Sequence, residues 1–219
     1  MADLPFELGD PLAQRLRAAV DREGKIPRAL EALGSLAGRR VGLLDVPAGR
    51  LLDELRGLGV EGTALAASDP LRIDRPDGSF DALVSLWSAF RGADESSLRE
   101  ADRVLAPEGR LLVVHDYGRD DVSALVDGAA PQYRTWSRRE GPFLRDGGFK
   151  IRVLHCFWTF DSVEDAQSFL AEAFGERGVT VGAGLKRPRL AWNVAVYHRW
   201  RGGITPEIAV PDVDGATTD

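Results

Sequence analysis

Three side chains able to carry protons stand in a row at His115, Asp116 and Tyr117, directly after the apolar run 110–114. An imidazole, a carboxylate and a phenol at the end of a strand are groups from which a general acid or base is drawn. Trp87 closes another apolar run, 80–87, and Asp45 lies near the end of a third, 40–46, before the turn Pro47-Ala48-Gly49. A second reading of His115, Asp116 and Tyr117 needs no chemistry: they are loop residues whose polar groups satisfy nearby backbone. On the residues alone we prefer it. Metal chemistry is not expected, because three histidines (His115, His155, His198) and the single Cys156 assemble no local zinc spacing.

The elements that must position these residues follow from periodicity. Apolar residues recur at helical spacing over 11–22 (Leu12, Leu16, Ala19, Val20) and 27–36 (Leu30, Leu33, Leu36). The run 40–46, its turn and a helical stretch over 51–58 form a strand-turn-helix unit. Residues 60–67 offer a second strand, 69–79 are polar and proline-bearing, and 80–87 form a third strand behind the turn signal Pro76-Asp77-Gly78-Ser79. A helix is expected over 96–105, capped near Ser96 or Ser97 and stopped by Pro107 and Gly109, then a strand over 109–115. Weaker helices are expected over 120–126 and 138–145, the latter closed by Gly147-Gly148. A long strand over 149–160, a helix over 162–174 with Ser162 and Asp165 in capping-box spacing, and a strand over 190–200 complete the chain.

This order predicts an α/β fold: a three-layer, Rossmann-like open sheet, mostly parallel with an antiparallel edge, and helices on both faces. The expected organisation is N-terminal helices over 1–38 packed on a main α/β domain over 39–201, then a disordered acidic tail over 202–219. The tail carries Glu207, Asp212, Asp214 and Asp219, so much of the formal charge of -6, from 28 basic and 34 acidic side chains, resides there. A nearly neutral folded part gives no electrostatic reason to expect nucleic acid. A mildly basic stretch with Arg138, Arg139, Arg145 and Lys150 is interrupted by Glu140 and Asp146 and reads as a solvated face. The first ten residues carry acids where a secretion signal needs positive charge, and no apolar run approaches the roughly 20 residues of a membrane span, so a cytoplasmic protein is expected.

Three passages resemble the class I S-adenosylmethionine-dependent methyltransferase family. Asp-Pro-Leu-Arg-Ile-Asp-Arg-Pro-Asp-Gly-Ser-Phe-Asp-Ala-Leu-Val-Ser-Leu over 69–86 is similar to its D-A-x-x-L-P-F-P-D-G-S-F-D passage. Glu-Ala-Asp-Arg-Val-Leu-Ala-Pro-Glu-Gly-Arg-Leu-Leu-Val-Val-His over 100–115 resembles its helix, L-K-P-G-G turn and strand, and Leu144 to Val153 its L-x-x-A-G-F passage. The resemblance covers about 41–200 and implies S-adenosylmethionine outside the carboxyl ends of the strands, with Asp45, Pro47, Gly49, Ser68, Asp69, Leu86 and Trp87 around it. It also implies where this chain departs. In the family's D-x-G-x-G-x-G turn, Asp45 matches the acid and Gly49 the middle glycine, but Pro47 and Leu51 occupy the outer two. The family's ribose-binding acid at the end of the second strand is missing, since that strand ends Ala-Leu-Ala-Ala-Ser, and 58–69 leaves room for one strand only.

Both losses fall on the ligand site while the core patterns persist. A methyltransferase-like protein is therefore expected whose S-adenosylmethionine binding is weak or absent, acting as a non-catalytic or partner-dependent binding or regulatory module. The alternative is an active methyltransferase with a small-molecule acceptor, for which Trp87, His115, Asp116 and Tyr117 are the candidates. A protein partner or homo-oligomer could use the aromatic set Phe157, Trp158, Phe160, Phe169, Phe174, Trp192, Tyr197 and Trp200, although such residues more often form core. A nicotinamide-dependent enzyme is a weaker reading, because the turn lacks G-x-G-x-x-G.

Overall fold

The structure, a computed structural model, describes residues 6, 8–45, 50–126 and 129–203. Pro47, Gly49 and the tail from 204 onward lie outside the described residues. Six strands form one sheet: β1 (Val41–Leu44), β2 (Gly62–Leu65), β3 (Phe80–Leu86), β4 (Leu105–Asp116), β5 (Lys150–Thr159) and β6 (Arg189–Trp200), in the order β2-β1-β3-β4-β6-β5. The first four are parallel, and β6 and β5 add an antiparallel edge. This is the expected α/β architecture, shortened where expected: β2 is the outer strand, and 66–79 contain neither helix nor strand.

The central strands are apolar throughout because both faces are covered. On one face α1 (Asp10–Ala19), α2 (Lys25–Gly34), α3 (Arg50–Gly57) and α6 (Val163–Ala183) share a core with Val41, Val84, Leu112 and Val114. On the other, α4 (Glu95–Val104), Trp136 of α5 (Ala129–Trp136) and Phe143 pack against Leu44, Leu83, Leu111 and Val113. Gly42 in β1 is required by closeness: a β-carbon there would lie 2.8 Å from Leu65 Cδ1 and 2.8 Å from Leu83 Cδ1.

Several local expectations are corrected. Asp94, not Ser96 or Ser97, caps α4, its Oδ1 accepting the Ser97 N–H at 2.8 Å and the Ser96 hydroxyl at 2.8 Å. Pro107 and Gly109 do not separate helix from strand. β4 begins at Leu105, and the extra residues are absorbed as a register shift, Phe80 facing Leu105 while Ala82 faces Arg110. The helix expected over 120–126 is a 3₁₀ turn, Val122–Leu125. In place of a helix over 138–145 there is one π-helical turn, Pro142–Asp146, preceded by the unforeseen α5. Gly141 and Pro142 break the segment. α6 ends its first half at Phe174 as expected, then turns at Gly175 (φ 57°, ψ -139°) and resumes. Gly202, assigned to the tail, is held: its N–H donates to Asp102 Oδ1 at 2.9 Å.

Most of the aromatic set is core. Trp158, Phe160, Phe169, Trp192 and Tyr197 are buried, whereas Phe157, Phe174 and Trp200 are half-buried. Phe169 brings α6 onto β5 through an edge contact with Trp158 at 6.4 Å between ring centroids. Phe169→Ala should therefore cost roughly 3–5 kcal/mol, whereas Val179→Ala on the exposed side of α6 should change stability by less than about 0.5 kcal/mol. Urea unfolding of the two variants measures both.

Candidate functional site

All four parallel strands end on the same side of the molecule, and two distinct sites lie there. The first is a cleft of about 450 Å³, the size of a small-molecule site, whose walls include Asp45, Ser68, Asp69, Ser88, Arg91 and Asp94. Asp45 follows β1 in the left-handed region at φ 48°, a conformation that aspartate tolerates better than most residues. Its N–H donates to Leu65 O at 2.8 Å and its Oδ1 accepts the Ala67 N–H at 2.8 Å, so it ties β1 to the end of β2.

Beyond β2 the chain turns on Ser68, whose hydroxyl donates to Pro70 O at 2.8 Å and accepts the Arg72 N–H at 2.9 Å, leaving Asp69 exposed. Arg91 Nη2 donates to Trp87 O at 3.2 Å. Burial pushes the Asp94 carboxyl up, but the donors at Ser97 and Ser96 outweigh it and hold the group below its ordinary range. Three carboxylates and one guanidinium thus line the cleft. Ser88, Arg91 and Asp94 were not singled out from the sequence. Asp94 offered a signal, as an acid three residues before Ser97 at the start of a helix.

The second site surrounds Asp116, at the end of β4. Its Oδ1 accepts two indole N–H groups, from Trp192 at 2.9 Å and Trp87 at 3.2 Å, whose rings stack at 5.5 Å between centroids. Trp87 takes this position through a positive φ of 53° just after β3. Asp116 is 8% exposed. Burial pushes its carboxyl up to about 7, against the pull of the two indole donors, and Asp120 adds to the rise while Arg91 opposes it.

His115 and Tyr117 are not companions of Asp116, because successive strand side chains point to opposite faces. His115 packs beneath α5, its ring 5.0 Å from Trp136, and burial pushes it down to about 3, so it is neutral at physiological pH. Tyr117 is half-buried, with its hydroxyl 3.2 Å from Arg119 Nη1. Of the sequence candidates, the structure joins Asp45, Ser68 and Asp69 in one site and Trp87 and Asp116 in the other; Leu86 is core. Trp192, Asp120 and Tyr133 around Asp116 were missed. They arrive through the pairing of β6, a 3₁₀ turn and the unforeseen α5.

No known family model matches the chain, and no curated protein matches its sequence. Solved structures do match in shape. A candidate methyltransferase from an antibiotic biosynthesis pathway of Anabaena variabilis ATCC 29413 is 14% identical, with a TM-score of 0.51 over 83% of this chain and 98% of that one. The fold is the methyltransferase fold. A candidate methyltransferase from Bacillus halodurans C-125 is 14% identical, with a TM-score of 0.47 over 80% of this chain and 98% of that one. A candidate methyltransferase from Haloferax volcanii, solved with the activator Trm112, is 18% identical, with a TM-score of 0.45 over 87% of this chain and 99% of that one. No helix among the described residues is long and apolar enough to cross a membrane.

A carboxyl whose folded pKa lies above its unfolded value of 3.8 contributes stability when protonated and loses it as the pH rises toward about 7. The native protein should therefore lose stability between pH 4 and pH 7 through Asp116. Asp116→Asn, which keeps an oxygen for the indoles and cannot ionise, should be more stable than the native protein at pH 8 by on the order of 4 kcal/mol, with the gap closing toward pH 4. Urea midpoints across that range measure it.

Proposed function

We propose that this chain is a methyltransferase-like binding or regulatory module that does not transfer methyl groups on its own, because its grip on S-adenosylmethionine is incomplete. The observation that carries the proposal is at the end of β2. Where the resemblance leads one to expect a carboxylate for the ribose hydroxyls, the chain has Ala66, Ala67 and Ser68, and Asp45 spends one carboxylate oxygen on the Ala67 N–H. The residues around the cleft fit the size of a nucleoside-type ligand but not its ribose: β2 ends without an acid, and Asp69, the first carboxylate after it, is exposed. A partner protein or a second copy of the chain would have to complete the cleft. A cytoplasmic setting agrees with a lone, buried, unpaired Cys156.

A second reading has one observation in its favour. Asp116, with its carboxyl pushed up to about 7 beside the strand ends, has the proton affinity of a general base at neutral pH, which suits an active methyltransferase whose small-molecule acceptor must lose a proton.

Calorimetric titration with S-adenosylmethionine and S-adenosylhomocysteine separates the two. The proposal expects no saturation below millimolar ligand, equivalent to a binding free energy weaker than about -4 kcal/mol, and Asp69→Ala should then change nothing measurable. Micromolar saturation that Asp69→Ala abolishes would overturn it in favour of the second reading.

A further inference from the structure

β5 is an outer strand of the sheet, paired with β6 alone. Its later half is closed from outside: the Asp21 N–H donates to Phe157 O at 3.0 Å, Val20 forms an antiparallel bridge to Trp158, and Lys25 Nζ donates to His155 O at 2.6 Å. These bonds also fix which backbone groups face outward, because alternate residues of an antiparallel strand turn their N–H and C=O to the same side. His155 and Phe157 face outward, and with them Ile151 and Val153. No hydrogen bond among the described residues reaches the outward groups of Ile151 and Val153. We infer that this open edge, over 150–154, takes an extended segment of a partner protein that alternates acidic and apolar residues and pairs as an added strand. The inference rests on the edge alone and holds whether or not the cleft binds S-adenosylmethionine.

The side chains on the two faces of the edge select the occupant. Lys150 and Arg152 stand on one face, both exposed, and neither makes an ion pair among the described residues. His198 faces Lys150 across the pairing of β5 with β6, and the charged groups that act on it are Lys150, Arg110 and Arg152. No carboxylate is among them. Opposite charges facing each other across paired strands are favourable, so acids at alternate positions of an added strand answer Lys150 and Arg152. Ile151 and Val153 stand on the other face, apolar and half-buried, and suit the apolar residues that alternate with those acids.

The same charges disfavour a second copy of this chain. Two β5 edges paired antiparallel would set Lys150 and Arg152 beside cations of the other copy, and like charges in that position repel. Exposed cations are a common guard against indiscriminate pairing at a sheet edge; here they leave an acidic strand as the one that gains by pairing. A nucleic acid would offer phosphates to the cations but no ladder of N–H and C=O groups to the edge.

The test is titration of the full-length protein with a short, end-capped, fluorescently labelled peptide alternating glutamate and valine, read by anisotropy at neutral pH and constant ionic strength. Two control peptides separate charge from backbone: one carries lysine for glutamate, and the other is N-methylated throughout and so has no N–H to donate. The expected result is saturable binding of the first peptide, at least ten-fold weaker for both controls and at least ten-fold weaker in Lys150→Glu and Arg152→Glu. Amide hydrogen exchange at Ile151 and Val153 should slow at least ten-fold on binding. Equal affinity for the N-methylated peptide or for oligothymidylate, unchanged affinity in both variants, or no saturation below about 1 mM would overturn the inference. Slow exchange of those two amides in the free protein would overturn it as well, whether a second copy, seen by sedimentation, or the chain itself fills the edge. Should a variant fail to fold, as circular dichroism would reveal, the control peptides on the native protein decide alone.

Discussion

β4 is the strand on which the rest of the molecule is registered. It is paired along one side in parallel with β3 and along the other in antiparallel with β6, and its second half is buried on both faces. Alternation then leaves no freedom: Leu112, Val114 and Asp116 face the core shared with α1, α2, α3 and α6, while Leu111, Val113 and His115 face α4 and Phe143. Two adjacent ionisable residues are thereby sent to opposite sides of the sheet. One becomes a buried neutral imidazole, the other a carboxyl under two indoles.

The same registration builds the surroundings of Asp116 from distant sequence. The pairing of Asp116 with Val194 places Trp192 two residues farther along β6 on the same face. On the other side, the Trp87 N–H donates to Val114 O at 2.9 Å, extending the β3 pairing by one residue before the chain turns at φ 53°. Neither indole is near Asp116 in sequence. What brings them to one oxygen is the order of strands, and that order is a property of the whole sheet.

This explains which parts could be read from the residues. The apolar runs at Val41–Leu44 and Phe80–Leu86 announce strands because burial demands it, Lys150–Thr159 does so through its β-branched and aromatic residues, and Ser162 announces α6 because its hydroxyl accepts the Asp165 N–H at 3.0 Å. The companion bond of a capping box is not made; Asp165 Oδ2 instead lies 3.5 Å from the Asp161 N–H. Asp45, Ser68 and Asp69 were legible as a site because each ends or follows a strand. Trp192, Tyr133 and Arg91 were not, because their roles depend on cross-strand register, on a short helix and on a turn with no strong local signal. The row His115, Asp116, Tyr117 looked like one cluster, and the period of two divides it.

The stretch between β2 and β3 shows how a segment without helix or strand can still close a sheet's face. Residues 66–79 have no ladder to satisfy their backbone, yet Leu71 and Ile73 are buried in the core on the α4 face. α4 supplies the missing partners. Glu100 Oε1 accepts the Ile73 N–H at 2.7 Å, Arg103 Nη2 donates to Ile73 O at 2.9 Å, and Arg103 Nη1 donates to Arg75 O and Asp77 Oδ1, each at 2.8 Å. The hydrogen bond from Arg103 holds the Glu100 carboxyl below its ordinary range, so the clamp stays ionised at neutral pH. Charged groups on one helix thus replace a strand's worth of backbone pairing on this side of the sheet. They act near the middle of 66–79 and leave its beginning to the bonds of Ala67 and Ser68. The clamp preserves packing, which is why the sheet remains well covered although 66–79 contain neither helix nor strand.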